Sequence, residues 1–147
     1  MQMNWEIIES LRSEFQNSLF LYPWEIFELR IQEEMIRADR SNSCFSYLEI
    51  PFDLLRPMIK PQVDDRTLWH MTFQFLTETM RGSDLKGLLS ENKGIGLVSL
   101  DCGIQGALES RSRYWMRLKG LSWLIEECLQ KGIESLRATQ YPLEVTP

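Results

Sequence analysis

The sequence predicts an α/β sandwich in which helices cover a small mixed β-sheet. Three observations lead there. Stretches with apolar residues at three- and four-residue steps alternate with short apolar runs bounded by Pro, Gly and Asn. Their order along the chain is helix, helix, strand, helix, strand, strand, helix, strand. The length of 147 residues, with 44% hydrophobic and 25% charged residues, suits one folded core and excludes disordered, collagenous and low-complexity classes.

From Asn4 to about Phe20, the residues Trp5, Ile8, Leu11, Phe15 and Leu19 recur at helical spacing, with Asn4 placed to cap. Tyr22-Pro23 breaks that run. Pro23 at a first helical position opens a second helix, whose Trp24, Phe27, Ile31 and Met35 form one stripe. Ile26, Leu29 and Ile36 fall off this stripe and mark a second side for cover, whereas Glu25, Glu28, Glu33, Glu34, Arg37 and Arg40 are assigned to solvent. The helix is expected to end near Arg40-Ser41-Asn42-Ser43. Cys44 to Ile50 alternates in part and is rich in aromatic and branched residues, a strand stopped by Pro51.

Pro51, Pro57 and Pro61 make the next segment irregular, with one short turn of helix at Phe52 to Leu55. Asp65 to about Arg81 reads as a helix with Leu68, Met71, Phe75 and Leu76 on one side and a Gly82-Ser83-Asp84 exit. Leu85 to Ser90 and Ile95 to Leu100 flank Glu91-Asn92-Lys93-Gly94 as a β-hairpin. Gln105 to Ala138 holds one or two helices with Gly120 as a break, and Tyr141 to Pro147 closes as a short strand. The organisation is an N-terminal helix over residues 1–22 and one domain over 23–147.

Composition narrows the function. A formal charge of −5 has the wrong sign for coating nucleic acid or an anionic membrane, and no run of apolar residues is long enough to insert in a bilayer. Cys44, Cys102 and Cys128 lack CxxC spacing, which points away from disulfides and zinc and toward a reducing cytoplasm. His70, the one histidine, sits mid-helix beside Trp69, a poor setting for a general base. Gly94-Ile95-Gly96 lies between two strands, where no helix N-terminus meets a pyrophosphate, and the neighbouring acids Asp64-Asp65 and Glu126-Glu127 point apart on their elements. No metal or cofactor is expected. The five tryptophans read as core and interface anchors.

The most informative stretch runs from Arg81 to Val98. It resembles the centre of the GGDEF domain family, the diguanylate cyclases that condense two GTP into cyclic di-GMP, in which an RxxD precedes by five residues a turn reading Gly-Gly-Asp/Glu-Glu-Phe. Leu85 to Leu89 separate Arg81-x-x-Asp84 from the turn by the same five residues. Upstream, Trp24 to Glu28 and Glu33 to Arg40 look like the family's first helix with its EExxRAxR ending, so the resemblance covers about residues 23 to 113. It implies a nucleotidyl-cyclase-like fold with an extra N-terminal helix.

The invariant residues depart from the family pattern. Ser90-Glu91-Asn92-Lys93-Gly94 replaces the catalytic turn, so the glycines for GTP and the metal-holding acid are missing, and Lys93 sets a cation where an acid belongs. Of the family's first-strand Asp-x-Asp, only Glu49 can serve; the guanine-reading Asn falls near Pro57 and a later Gly-Asp near Asp65-Arg66. Two-metal phosphoryl chemistry needs clustered carboxylates, so the resemblance implies an inactive cyclase.

What survives is the RxxD, the family's inhibitory site for cyclic di-GMP. A guanidinium donates two parallel hydrogen bonds to guanine or phosphate, and a carboxylate accepts from the guanine N1–H and amino group. One such contact supplies about 1–3 kcal/mol against the roughly 8 kcal/mol of micromolar binding, so stacked bases and a second arginine are required. Arg113 fits the family's secondary arginine, with Arg111 beside it. The first expectation is therefore a cyclic di-GMP receptor built on Arg81, Asp84, Arg113 and Arg111. An arginine ending a helix and an aspartate in a turn also satisfy structural preferences alone. The alternative is an interaction module without nucleotide, its N-terminal helix packing on a second copy or another protein.

Overall fold

The computed structural model describes residues 5–79 and 84–143. Among the described residues the α-helices are α1 (Trp5–Glu14), α2 (Trp24–Ser41), α3 (Phe52–Leu55), α4 (Asp65–Thr79) and α5 (Ile104–Gly120). The strands are β1 (Phe45–Pro51), β2 (Leu85–Leu88), β3 (Gly94–Leu100) and β4 (Ala138–Tyr141). The sheet order is β2-β3-β1-β4, and each strand runs antiparallel to its neighbours.

That order follows from two crossovers. β1 passes through α3 and α4 to β2, and β3 passes through α5 to β4; each returns parallel to the strand it left, with one strand between, as in a split βαβ arrangement. The sheet is therefore antiparallel throughout rather than mixed, because each crossover skips one strand. A single parallel bridge also joins Tyr22 to Gly87 at the β2 edge, where the Tyr22 N–H donates to the Lys86 carbonyl (3.0 Å) and the Leu88 N–H to the Tyr22 carbonyl (2.9 Å).

Alternation along the strands divides the side chains between two faces. Leu48, Ile50, Leu88, Ile95 and Leu97 join the larger core with Phe52, Leu68, Trp69, Phe73 and Tyr114. Within it the Thr72 and Tyr114 hydroxyls are 2.8 Å apart, so the buried phenol has a polar partner. At the start of α4 the Thr67 N–H donates to the Asp64 carboxylate (2.8 Å), which holds that acid below its ordinary range. On the opposite face Phe45, Leu85 and Val98 pack against Phe27 and Ala38 of α2.

Phe27 seats α2. It is completely buried, and it lies over Gly87 and Gly96, which are cross-strand partners in the sheet. A Cβ on Gly96 would stand 2.6 Å from Phe27 Cε2, and one on Gly87 would run into the same ring. The paired glycines open space for an aromatic ring on the sheet.

Several expectations change. α1 ends at Glu14, earlier than Phe20, although Phe15 and Leu19 still pack on the core. Its Ile8 and Leu11 are buried in the large core, so most of the α1 stripe is occupied within the chain, and only Trp5 of α1 stays exposed from it. Glu34 is buried because Arg30 and Arg37 of the same helix, each 3.5 Å away, flank its carboxylate. Pro51 lies inside β1, opposite Gly94 at the end of the ladder. Beyond Gly120 there is no second α-helix among the described residues. Leu124 instead bridges to Ile59, the Lys60 N–H donates to the Trp123 carbonyl (2.8 Å) and the Ile125 N–H to the Met58 carbonyl (2.9 Å), so pairing with a distant segment overrides the helical period. β4 precedes the expected strand because Ala138 to Tyr141 is the segment that meets β1, and residues 144–147 lie outside the described ones. No helix among the described residues is long and apolar enough to cross a membrane.

Replacing Gly96 by Ala is expected to cost about 1–3 kcal/mol, because the added methyl must displace the Phe27 ring or the strand. Urea unfolding monitored by far-UV circular dichroism measures it. A cost within a few tenths of a kcal/mol would contradict this account of the α2 seat.

Candidate functional site

The β2–β3 hairpin places the turn that the sequence singles out. Leu89 and Gly94 close it, the Leu89 N–H donating to the Gly94 carbonyl (2.9 Å), and Ser90–Asn92 forms one tight turn. Glu91 and Asn92 both have positive φ, 58° and 55°, where a side chain other than glycine is disfavoured. The Phe52 N–H donates to the Lys93 carbonyl (2.7 Å), which ties the turn to the end of β1. Gly94 is required there because a Cβ would collide with the Ile50 carbonyl oxygen.

The charges at the turn are satisfied within it. Lys93 Nζ lies 3.2 Å from Glu91 Oε2 with both side chains exposed. Glu49, the remaining acid of β1, accepts the Tyr47 hydroxyl at 3.2 Å, and burial together with that carboxylate pushes the phenol well above its ordinary pKa. Among the described residues no three His, Cys, Asp or Glu side chains converge as a metal site. Beside the turn lies a cavity of about 400 Å³ lined by Trp5, Trp24, Glu25, Ser90, Glu91 and Asn92. Sequence reading did not bring the two indoles to the turn, since it placed their helices without their angle to the hairpin.

The expected guanine-binding residues are distributed differently. Arg81 lies outside the described residues. Asp84 precedes β2, is 7% exposed, and accepts the Leu100 N–H at 3.4 Å. Burial lowers the nearby Lys86 pKa, and the Asp84 charge partly offsets that. Arg111 Nη1 donates to the Leu136 carbonyl (3.3 Å) just before β4, and β4 is the edge of the sheet opposite β2. The structure therefore directs Arg111 away from the Asp84 edge. Arg113 is exposed on α5.

His70 is a surface residue that holds α1. Its Nε2 is 3.2 Å from Glu14 Oε1 and its ring meets Phe15 edge-on, while Arg66 reaches both Ser10 (3.1 Å) and Glu14 (3.5 Å).

The outer face of α2 is the other conspicuous feature. Leu29 and Ile36 are 57% and 53% exposed on the side opposite that sealed by Phe27, Glu34 and Ala38, and Ile26, 47% exposed, lies on the flank between. A groove of about 510 Å³ runs along its C-terminal half, lined by Glu33, Ile36, Arg37, Arg40 and Ser41.

No protein-family model matches the chain, and no curated protein matches it significantly. Among solved structures it is similar to the diguanylate cyclase SiaD of Pseudomonas aeruginosa, determined in complex with its activator SiaC, at 16% identity and a TM-score of 0.43. The match covers 74% of this chain and 44% of the cyclase chain.

Asp84→Ala is expected to destabilise the fold by about 1–3 kcal/mol, since it removes a buried acceptor from a backbone N–H. Glu91→Gly is expected to stabilise it by about 0.5–1 kcal/mol by relieving the left-handed backbone at the turn. Thermal and urea unfolding check both. A neutral Asp84→Ala or a destabilising Glu91→Gly would contradict these assignments.

Proposed function

We propose that this chain is a GGDEF-like scaffold without cyclase activity that works as a protein-interaction module through the outer face of α2. Residues 23–147 form the cyclase-like unit, and the helix within residues 1–22 is an addition bound to its α4 side. The observation that carries the reading is the exposed Ile26, Leu29 and Ile36 stripe, held outward by the Phe27 seat on the other side of the same helix. Exposed apolar residues repeating on one side of an otherwise amphipathic helix favour a docking face. Loss of catalysis is supported by the Lys93–Glu91 pair at the turn and by the engagement of Glu49 with Tyr47. Two-metal chemistry needs acids that are free to hold cations.

The spacing Arg81-x-x-Asp84 and the exposed Arg113 favour a second reading, a cyclic di-GMP receptor. Against it stand the internal bond of Asp84 and the direction of Arg111. Guanine recognition would have to release that carboxylate from the Leu100 N–H.

A photo-crosslinking side chain in place of Ile36, introduced into the full chain in cells, is expected to capture protein. The same group in place of Leu54, an exposed apolar residue on α3, is expected to capture little. Equal capture from both positions would overturn the docking reading. Calorimetry with cyclic di-GMP is expected to give no heat, and incubation with GTP and magnesium or manganese no cyclic product. Heat lost in Arg81→Ala and Asp84→Asn would establish the receptor instead, and any cyclic dinucleotide formed would overturn the loss of catalysis.

A further inference from the structure

The α2 face has a self-complementary pattern about the helix midpoint. α2 runs from Trp24 to Ser41, so its centre lies between Gln32 and Glu33. Leu29 stands three residues before Gln32 and Ile36 three after Glu33, while Glu25 stands seven before and Arg40 seven after. All four side chains are exposed. At 3.6 residues per turn they fall within one narrow sector, opposite Phe27 and Ala38.

A two-fold axis at that midpoint sets two α2 helices antiparallel. It brings Leu29 to the partner's Ile36, and Ile36 to the partner's Leu29. The same operation brings Glu25 to the partner's Arg40 at both ends. Each Leu29 then meets the groove beside the partner's Ile36 and Arg40, and the helix dipoles run opposed. Glu33, nearest the axis, is already neutralised by Arg30 of its own helix at 2.5 Å. A parallel pairing would instead place Glu25 by the partner's Glu25 and Arg40 by the partner's Arg40, like charges at both ends. An isologous contact needs this matching of a surface with itself.

We propose that the occupant of the α2 face is a second copy of this chain, paired antiparallel through Leu29, Ile36, Glu25 and Arg40. This rests on the interaction reading and names its partner. The contact is one helix pair of about 27 Å, so association is concentration-dependent in the micromolar range and above.

Sedimentation velocity on the full chain tests it. The parent is expected to move from monomer to dimer mass as concentration rises, and Leu29→Asp to remain monomeric with an unchanged circular dichroism spectrum, because Leu29 touches solvent. Glu25→Arg and Arg40→Glu are each expected to weaken the dimer at least tenfold, and the double variant to recover it, since the swap restores both ion pairs. A monomeric parent at every concentration, a dimer indifferent to Leu29→Asp, or a double variant weaker than either single one would each overturn the pairing. Such an outcome, with capture at position 36 intact, leaves the docking face with an unlike partner; loss of capture as well removes the docking reading itself.

Discussion

The architecture depends on one ring and two missing side chains. Phe27 is buried over Gly87 and Gly96, and burying a phenylalanine contributes about 1.5–3 kcal/mol. The contact fixes more than stability. A helix lying on a sheet can roll about its own axis, and an inserted ring stops that roll. With Phe27 inward, Leu29 and Ile36 must point outward, so the glycine floor sets which face of α2 meets solvent. The Tyr22 bridge to β2 fixes the start of the helix in the same way.

This also explains glycines that a motif search misreads. Gly94-Ile95-Gly96 resembles a piece of a phosphate-binding loop, yet each glycine answers a packing demand. Gly94 clears the Ile50 carbonyl and Gly96 clears Phe27. The turn between β2 and β3 likewise keeps a tight hairpin with Glu91 and Asn92 in left-handed conformations, where glycine would be easier. Its charges close on each other.

The order of helices and strands was legible because each long element carries its own period, and α3 was legible from its flanking prolines. The apolar residues of α2 left over from its inward stripe were legible as a second side, but that side was expected to be covered and the structure leaves it exposed. The segment after Gly120 was not legible, because its conformation is decided by Ile59 and Met58, more than sixty residues away in the chain. Arg111 illustrates the same limit. Its spacing from the hairpin suits a nucleotide contact, but the α5 crossover brings Leu136 beside it, whose carbonyl accepts from one guanidinium nitrogen. Asp84 sits where the pattern puts it, but its burial depends on β3 supplying the Leu100 N–H.

The central proposal is that this scaffold acts through the outer face of α2 and without nucleotide chemistry. A ¹⁵N-correlated NMR spectrum of the full chain, recorded on dilution and again with added cyclic di-GMP, tests it most directly. The account predicts dilution-dependent shifts confined to amides of α2 and no change with the nucleotide. Amides of α2 that ignore dilution, with nucleotide-dependent shifts around Asp84 and Leu100, would contradict it.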